Sequence, residues 1–250
     1  MRESMRRNGV SALILAGTTL AVGGSGCTAG TDAPSLTVVA SRPGQGGVHA
    51  ANRPLRLEFD RYLYPVFALA AGEGEGIRLV SGEVTVPLDA RYDVVGRALE
   101  LTPRDALSPG VGYRLQVSPG AVFGLDGETL GETFEVGFWA GLPVTSGQAV
   151  PPPPLDFERD VASAWLGRCG CHGDVAEGRV PPALTEAALV GQPSGRFPGL
   201  ALVQPGQPLR SALVRKLLHD YPGLRGEPMP PSGPLDDDAV RRVVAWIEGL

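Results

Sequence analysis

A two-part, multidomain fold is predicted, an all-β sandwich followed by a small all-α domain. Three observations predict it. Between Leu36 and Ala140, apolar side chains recur at every second residue in short runs. A break follows that contains four consecutive prolines, Pro151 to Pro154. Beyond the break, apolar residues recur three and four positions apart, which is the period of a helix with one buried face.

The first 26 residues stand outside both parts. MRESMRRNG is a short positive region, VSALILAGTTLAV (10–22) is an apolar run, and GGSGC ends at Cys27. That order describes an export signal over 1–26, too short to span a bilayer permanently. The small residues before Cys27 resemble a bacterial lipoprotein cleavage site, although Gly24 stands where an aliphatic residue is usual. The resemblance implies that Cys27 becomes a lipidated first residue, that residues 27–35 form a tether, and that the chain is anchored in the cell envelope. The alternative is ordinary cleavage that leaves Cys27 a free thiol, a liability in an oxidising compartment. Removing 1–26 also removes Met1 and Met5, so Met229 is the last of the three methionines.

Residues 36–140 alternate strictly. LRLEF (55–59) turns Leu55, Leu57 and Phe59 inward, and ALELT does the same with Leu99 and Leu101. YRLQV places Tyr113, Leu115 and Val117 on one face, and TFEVGFW places Phe134, Val136 and Phe138. Gly, Pro and Asp turns separate these runs, so they read as half-buried antiparallel strands. About seven of them in such a length suggest a Greek-key β-sandwich. SRPGQGGVHAANRPLRLEFDRYL and LELTPRDALSPGVGYRLQVSPGAVFGLDGETLGETFEVGFWA resemble the SbsA-type bacterial Ig-like domain. That resemblance implies a spacer on the cell surface and brings no catalytic residue. His49, Tyr62 and Tyr64 are candidate side chains here, but loop and core roles suit them better.

GLPVTSGQAVPPPPL (141–155) lacks periodicity and reads as a Pro-rich linker, with the proline run favouring an extended polyproline II rod. In 156–250, LDFERDVASAWLGRC spaces Phe157, Val161, Ala164 and Trp165 as a helix does. PLRSALVRKLL (208–218) spaces Leu209, Leu213 and Leu217 four apart, with Pro208 allowed in a first turn. LDDDAVRRVVAWIEGL carries Val240, Val243, Val244, Ile247 and Leu250 on one stripe. Asp236 to Asp238 suit that helix's N-terminus. Three short helices joined by Gly- and Pro-rich connections make a weak core unaided, which suggests that something else fills it.

The chemistry concentrates in WLGRCGCHGD (165–174), where Cys169, Cys171 and His172 lie within four positions. Covalent c-type haem attachment is written C-x-x-C-H, and here the spacing is C-x-C-H. Residues 156–250 nevertheless resemble a small class I cytochrome c domain. An aromatic-bearing helix leads into Cys-His-Gly, MPPSGPL (229–235) follows, and the chain closes on VAWIEGL. The stretch VQPGQPLRSALVRKLL is similar to a helix of cytochrome-like surface domains. The resemblance implies haem c, with His172 and Met229 as axial iron ligands and Cys169 and Cys171 as attachment points. Imidazole and thioether are both competent iron ligands, and a thioether raises the reduction potential.

The departure lies at the cysteines. Residues two apart on a helix point about 200° apart, so both thiols reach the porphyrin only if Gly170 bends the backbone. The simpler alignment attaches haem through Cys171 alone and puts Arg168 where the first cysteine would stand. Phe157, Trp165 and Trp246 pack either around the cofactor or between the terminal helices. Other readings stay open. Cys169, Cys171, His172 and His219 are a weak zinc set. Cys169 and Cys171 form a strained, reducible disulfide in a third reading. His219 is also a rival to Met229 as sixth ligand, or a histidine that simply ends a helix.

Two functions follow from different classes. One is an exported, membrane-anchored electron-transfer protein with an unidentified redox partner. The other is a surface scaffold or adhesion lipoprotein whose cytochrome-like domain binds no haem. Neither is an enzyme: no hydrolytic triad, nucleotide loop or carboxylate pair stands out, and no small-molecule substrate is evident. The net charge of −5, with basic residues clustered only at the start, argues against a nucleic-acid partner.

Overall fold

The structure is a computed structural model that describes residues 35–64, 76–144, 154–165, 168–172 and 181–250. All of them fall in one compact unit, Pro34–Leu250. The export signal, Cys27, the tether up to residue 34 and the prolines at 151–153 lie outside the described residues. No described helix is long and apolar enough to cross a membrane.

Among the described residues nine strands form two sheets. They are β1 (Val38–Arg42), β2 (Val48–Ala50), β3 (Leu55–Phe59), β4 (Ile77–Ser81), β5 (Val84–Val86), β6 (Leu88–Asp93), β7 (Ala98–Pro103), β8 (Gly112–Val117) and β9 (Phe134–Gly141). One sheet has the order β1-β3-β7-β6 and the other β2-β9-β8-β4-β5. Every pairing is antiparallel except β2 with β9, which is parallel. The alternation seen in the sequence is the alternation of burial. Leu55, Leu57 and Phe59 are buried, as are Leu99, Leu101, Leu115, Val136 and Phe138. Phe134, expected inward with them, is only half-buried; it is the first residue of β9 and packs against the core cluster. Each fully buried Leu contributes roughly 1.5–3 kcal/mol, so the inner faces of the two sheets dominate the stability of this part.

On the outer face of the four-stranded sheet, Arg56 binds Glu58 at 3.0 Å, Asp93 at 3.0 Å and Glu100 at 2.9 Å. Gly96 lies beneath that cluster, where a Cβ would come within 2.2 Å of the Arg56 guanidinium. Burial alone would raise the Asp93 carboxyl. The Gly96 N–H, Arg56 and Arg241 outweigh it and hold the group below the usual carboxylate range.

The C-terminal residues form short helical elements. A π-helical turn, Phe157–Ala162, opens on Asp156, whose carboxylate accepts from the Arg159 N–H, and runs into α1 (Ser163–Trp165). A 3₁₀ turn spans Gly170–His172, and α2 (Glu186–Leu189) is capped by Thr185. α3 (Ala212–Leu217) and α4 (Asp237–Glu248) complete the series. α4 buries Ala239, Val240, Val243, Val244, Trp246 and Ile247, which is the expected stripe, while Leu250 lies past the helix end at Gly249 and is exposed.

The helix expected over 208–218 is interrupted. Pro208–Arg210 is a 3₁₀ turn and Ser211 is extended. The fully buried Ser211 hydroxyl accepts from the Gln204 N–H at 2.9 Å and donates to the Gln207 carbonyl at 3.0 Å. A serine that bonds the local backbone in this way competes with helix formation.

These elements lie against the sandwich. The Tyr62 hydroxyl donates to the Asp220 carboxylate, and Arg97 pairs with the same carboxylate at 3.1 Å. The Tyr62 and Tyr221 rings are 5.2 Å apart. Arg91 pairs with Glu248 at 3.0 Å, and Arg241 reaches Asp93 at 3.6 Å. The start of the linker is also held, since Asn52 and Val144 exchange hydrogen bonds of 2.9 and 3.0 Å.

Candidate functional site

The segment that carries the cysteines follows α1. Arg168 and Cys169 donate their N–H groups to the Trp165 carbonyl at 2.8 and 2.9 Å, and His172 donates to the Cys169 carbonyl at 2.9 Å. This winding separates the two thiols. Cys169 is half-buried against the core, whereas Cys171 is exposed. Both are free thiols, so the disulfide reading is not what the structure shows. Burial pushes the Cys169 thiol up, with Arg168 opposing it.

The His172 ring is oriented. Its Nδ1 lies 3.2 Å from the Pro182 carbonyl oxygen. A carbonyl only accepts, so in this contact Nδ1 is the donor. A metal-binding histidine is held in this way, with its second nitrogen donating to a carbonyl or carboxylate.

Met229 is half-buried in a loop that two elements hold. On one side the Met229 N–H donates to the Lys216 carbonyl at 2.8 Å. Lys216 Nζ donates to the carbonyls of Arg225 and Glu227, each at 2.6 Å. Burial lowers the Lys216 ammonium, with Arg196 adding to the effect. His219 Nε2 lies 3.2 Å from the Met229 carbonyl. On the other side, Arg168 donates to the carbonyls of Pro234 at 2.8 Å and Gly233 at 3.1 Å, and to the Ser232 hydroxyl at 3.4 Å. The turn bearing Cys171 and His172 and the loop bearing Met229 are thereby brought together.

Spacing did not reveal Arg168, Lys216 or the Pro182 carbonyl. The only signal was that Arg168 stands three positions before Cys171. His219, a rival ligand on the sequence, has its Nε2 engaged with the loop backbone. Among the described residues no three His, Cys, Asp or Glu side chains converge to hold a metal ion, so Cys169, Cys171, His172 and His219 do not assemble the zinc set.

Phe157 lies between the other two aromatics, with ring centroids 6.0 Å from Trp165 and 4.9 Å from Trp246. All three are buried and join the first and last helical elements. Trp165 Nε1 is buried without an acceptor, the one such side-chain atom among the described residues. In the sandwich, His49 is a packing residue. It is buried, its Nε2 is 3.1 Å from the Arg53 carbonyl, and its ring lies edge-on to Phe138. Tyr62 serves the contact with Asp220, and burial first, then that carboxylate, holds its phenol well above the ordinary pKa. Tyr64 is an exposed aromatic.

Residues 31–140 match the family described as a bacterial Ig-like domain. Among solved structures, domains 1–6 of the surface layer protein SbsC are similar at 16% identity and a TM-score of 0.36. That likeness covers 45% of this chain and 14% of that one, so the chain spans only a small part of the S-layer protein. CopC from Methylosinus trichosporium OB3b is similar at 18% identity and a TM-score of 0.34, over 44% of this chain and 98% of CopC. PcoC, a methionine-rich copper resistance protein from Escherichia coli, gives 18% and 0.34, over 43% and 99%. No curated protein matches the chain. The bacterial Ig-like part of the expectation is therefore shown. The family match ends at residue 140, before the helical elements begin.

Proposed function

We propose that this chain is an exported electron-transfer protein whose C-terminal residues hold a c-type haem. The Ig-like domain fits an exported surface protein. The single observation that carries the haem reading is the orientation of the His172 ring, whose Nδ1 is held by the Pro182 carbonyl at 3.2 Å beside the Cys171 turn. A haem supplies one-electron chemistry at its iron when bound. His172 and Met229 would hold that iron, and the exposed Cys171 thiol would tether the porphyrin through one thioether. Cys169, half-buried against the core, is the poorer tether. The donor set fits: an oriented imidazole, a loop-held thioether, an accessible thiol, and an indole N–H that lacks an acceptor. With His172 and Met229 both engaged, such a haem would serve electron transfer rather than take up a substrate. A lipid on Cys27 would keep it at the cell envelope.

A second reading has one observation in its favour. Phe157, Trp165 and Trp246 already close a core between the terminal helical elements. On that reading the chain is a surface scaffold that does no redox work.

The reduced pyridine haemochrome spectrum of the exported chain, made alongside a cytochrome c maturation system, separates the two. An α-band at the one-thioether position supports attachment through Cys171. No band, with a working control, leaves the scaffold. Cys27→Ser should move the protein from the membrane to the soluble fraction, and unchanged fractionation would count against the anchor.

A further inference from the structure

The Met229 loop is poor in its own hydrogen-bond donors. Pro230, Pro231 and Pro234 carry no N–H, so three of the residues from Met229 to Leu235 cannot donate a backbone bond. The loop is instead held by side chains that bond its carbonyls. Lys216 and His219 take the stretch from Arg225 to Met229. Arg168 takes the other end, reaching three consecutive residues, Ser232, Gly233 and Pro234. Two of its acceptors are backbone carbonyls, so this contact depends on the loop's backbone path more than on its side chains. The planar guanidinium suits such a task, because its donors form a rigid fork.

Arg168 also stands where C-x-x-C-H would have its first cysteine. We infer that Arg168 does by hydrogen bonding part of what the missing thioether would do by a covalent bond. It ties the turn that carries Cys171 and His172 to the loop that carries Met229, and so positions the thioether ligand relative to the imidazole. The purpose of this clamp rests on the haem reading above; its geometry does not. Arg168 is a positioning residue that acts through the loop and touches no reacting atom.

The first test uses the haem-free exported chain. Amide hydrogen exchange is followed at Ser232, Gly233 and Leu235, with α3 as the internal reference. Arg168→Ala should speed exchange at the loop by about tenfold, the loss of charge-assisted bonds, and leave α3 unchanged. Arg168→Lys should recover part of the protection, since an ammonium donates but cannot fork. Loop exchange that is the same in Arg168→Ala as in the parent overturns the clamp, whatever the haem content.

The second test uses the haem-loaded chain. Arg168→Ala should weaken the red charge-transfer band of the ferric iron–thioether bond, and Arg168→Lys should restore part of it. Arg168→Cys places a thiol three positions before Cys171. Its S–H adds across a porphyrin vinyl group: a C–S bond forms, the C=C π bond is lost, and the hydrogen goes to the other vinyl carbon. No oxidant or reductant is consumed. The pyridine haemochrome band should move from the one-thioether to the two-thioether position, while loop exchange speeds up as in Arg168→Ala. A band that stays at the parent's position shows that residue 168 does not occupy the first-cysteine place, and overturns the substitution idea. Absence of pigment from every variant, with the loop loosened in Arg168→Ala, would sink the haem reading and leave the clamp standing.

Discussion

Replacing Asp220 by alanine asks whether the helical elements are seated on the sandwich. The carboxylate accepts from the Tyr62 hydroxyl and pairs with Arg97 at 3.1 Å. Tyr62 is 4% exposed, so its hydroxyl is left with little access to water once the acceptor goes. An orphaned buried donor costs about 1–3 kcal/mol. The Arg97 pair is open to solvent and adds at most about 1 kcal/mol. For a unit of this size each kcal/mol is worth about 2–4 °C, so the midpoint should fall by roughly 2–16 °C. Thermal unfolding followed by circular dichroism and calorimetry measures it. Tyr62→Phe removes the donor and leaves a carboxylate that water can reach, so it should cost less, under about 1 kcal/mol. The double variant should cost less than the sum of the two, because the bond is lost only once. Two single variants within about 0.5 kcal/mol of the parent would refute the docking, and with it the reading of Tyr62 and Asp220 as its centre.

Other outcomes follow from particular contacts. Trp246→Ala should destabilise by about 3–5 kcal/mol, because the ring fills the space between Phe157 and α4; a loss under about 1 kcal/mol in chemical denaturation would contradict that packing. Ser211→Ala leaves the Gln204 N–H without its acceptor and should cost about 1–3 kcal/mol, whereas an unchanged denaturation midpoint would show that the hydroxyl does not organise the break before α3. The Asp93 carboxyl is depressed in the folded state. Its contribution is therefore present above the unfolded carboxylate value near ~3.9 and is lost as pH falls through the lower folded value. Stability measured from pH 6 downward, roughly to pH 2, should drop less steeply at the acid end in Asp93→Asn than in the parent, and parallel curves would contradict the assignment.

The β part was readable because a strand shows its burial at every second residue. LRLEF, ALELT and YRLQV carry their inward faces openly, and the structure buries those residues. The stripe of α4 was readable for the same reason at a helical period. The break at Ser211 was not. A helical spacing of Leu209, Leu213 and Leu217 says nothing about a hydroxyl that finds backbone partners at Gln204 and Gln207.

The site divides along the same line. Cys171, His172 and Met229 can be put forward as candidates from the chain alone, because ligand chemistry belongs to residue type and to short spacing. The C-x-C-H anomaly was visible too, since two positions along a helix cannot share a face. What the residues do to one another depends on separations that no local pattern records. Arg168 and Pro234 are 66 positions apart, Tyr62 and Asp220 are 158 apart, and Arg91 and Glu248 are 157 apart. Chemistry of this kind travels with the side chain and is legible in one dimension. The partner of a guanidinium or a carboxylate is set by which distant segment folding delivers to it, and that choice belongs to the tertiary structure alone.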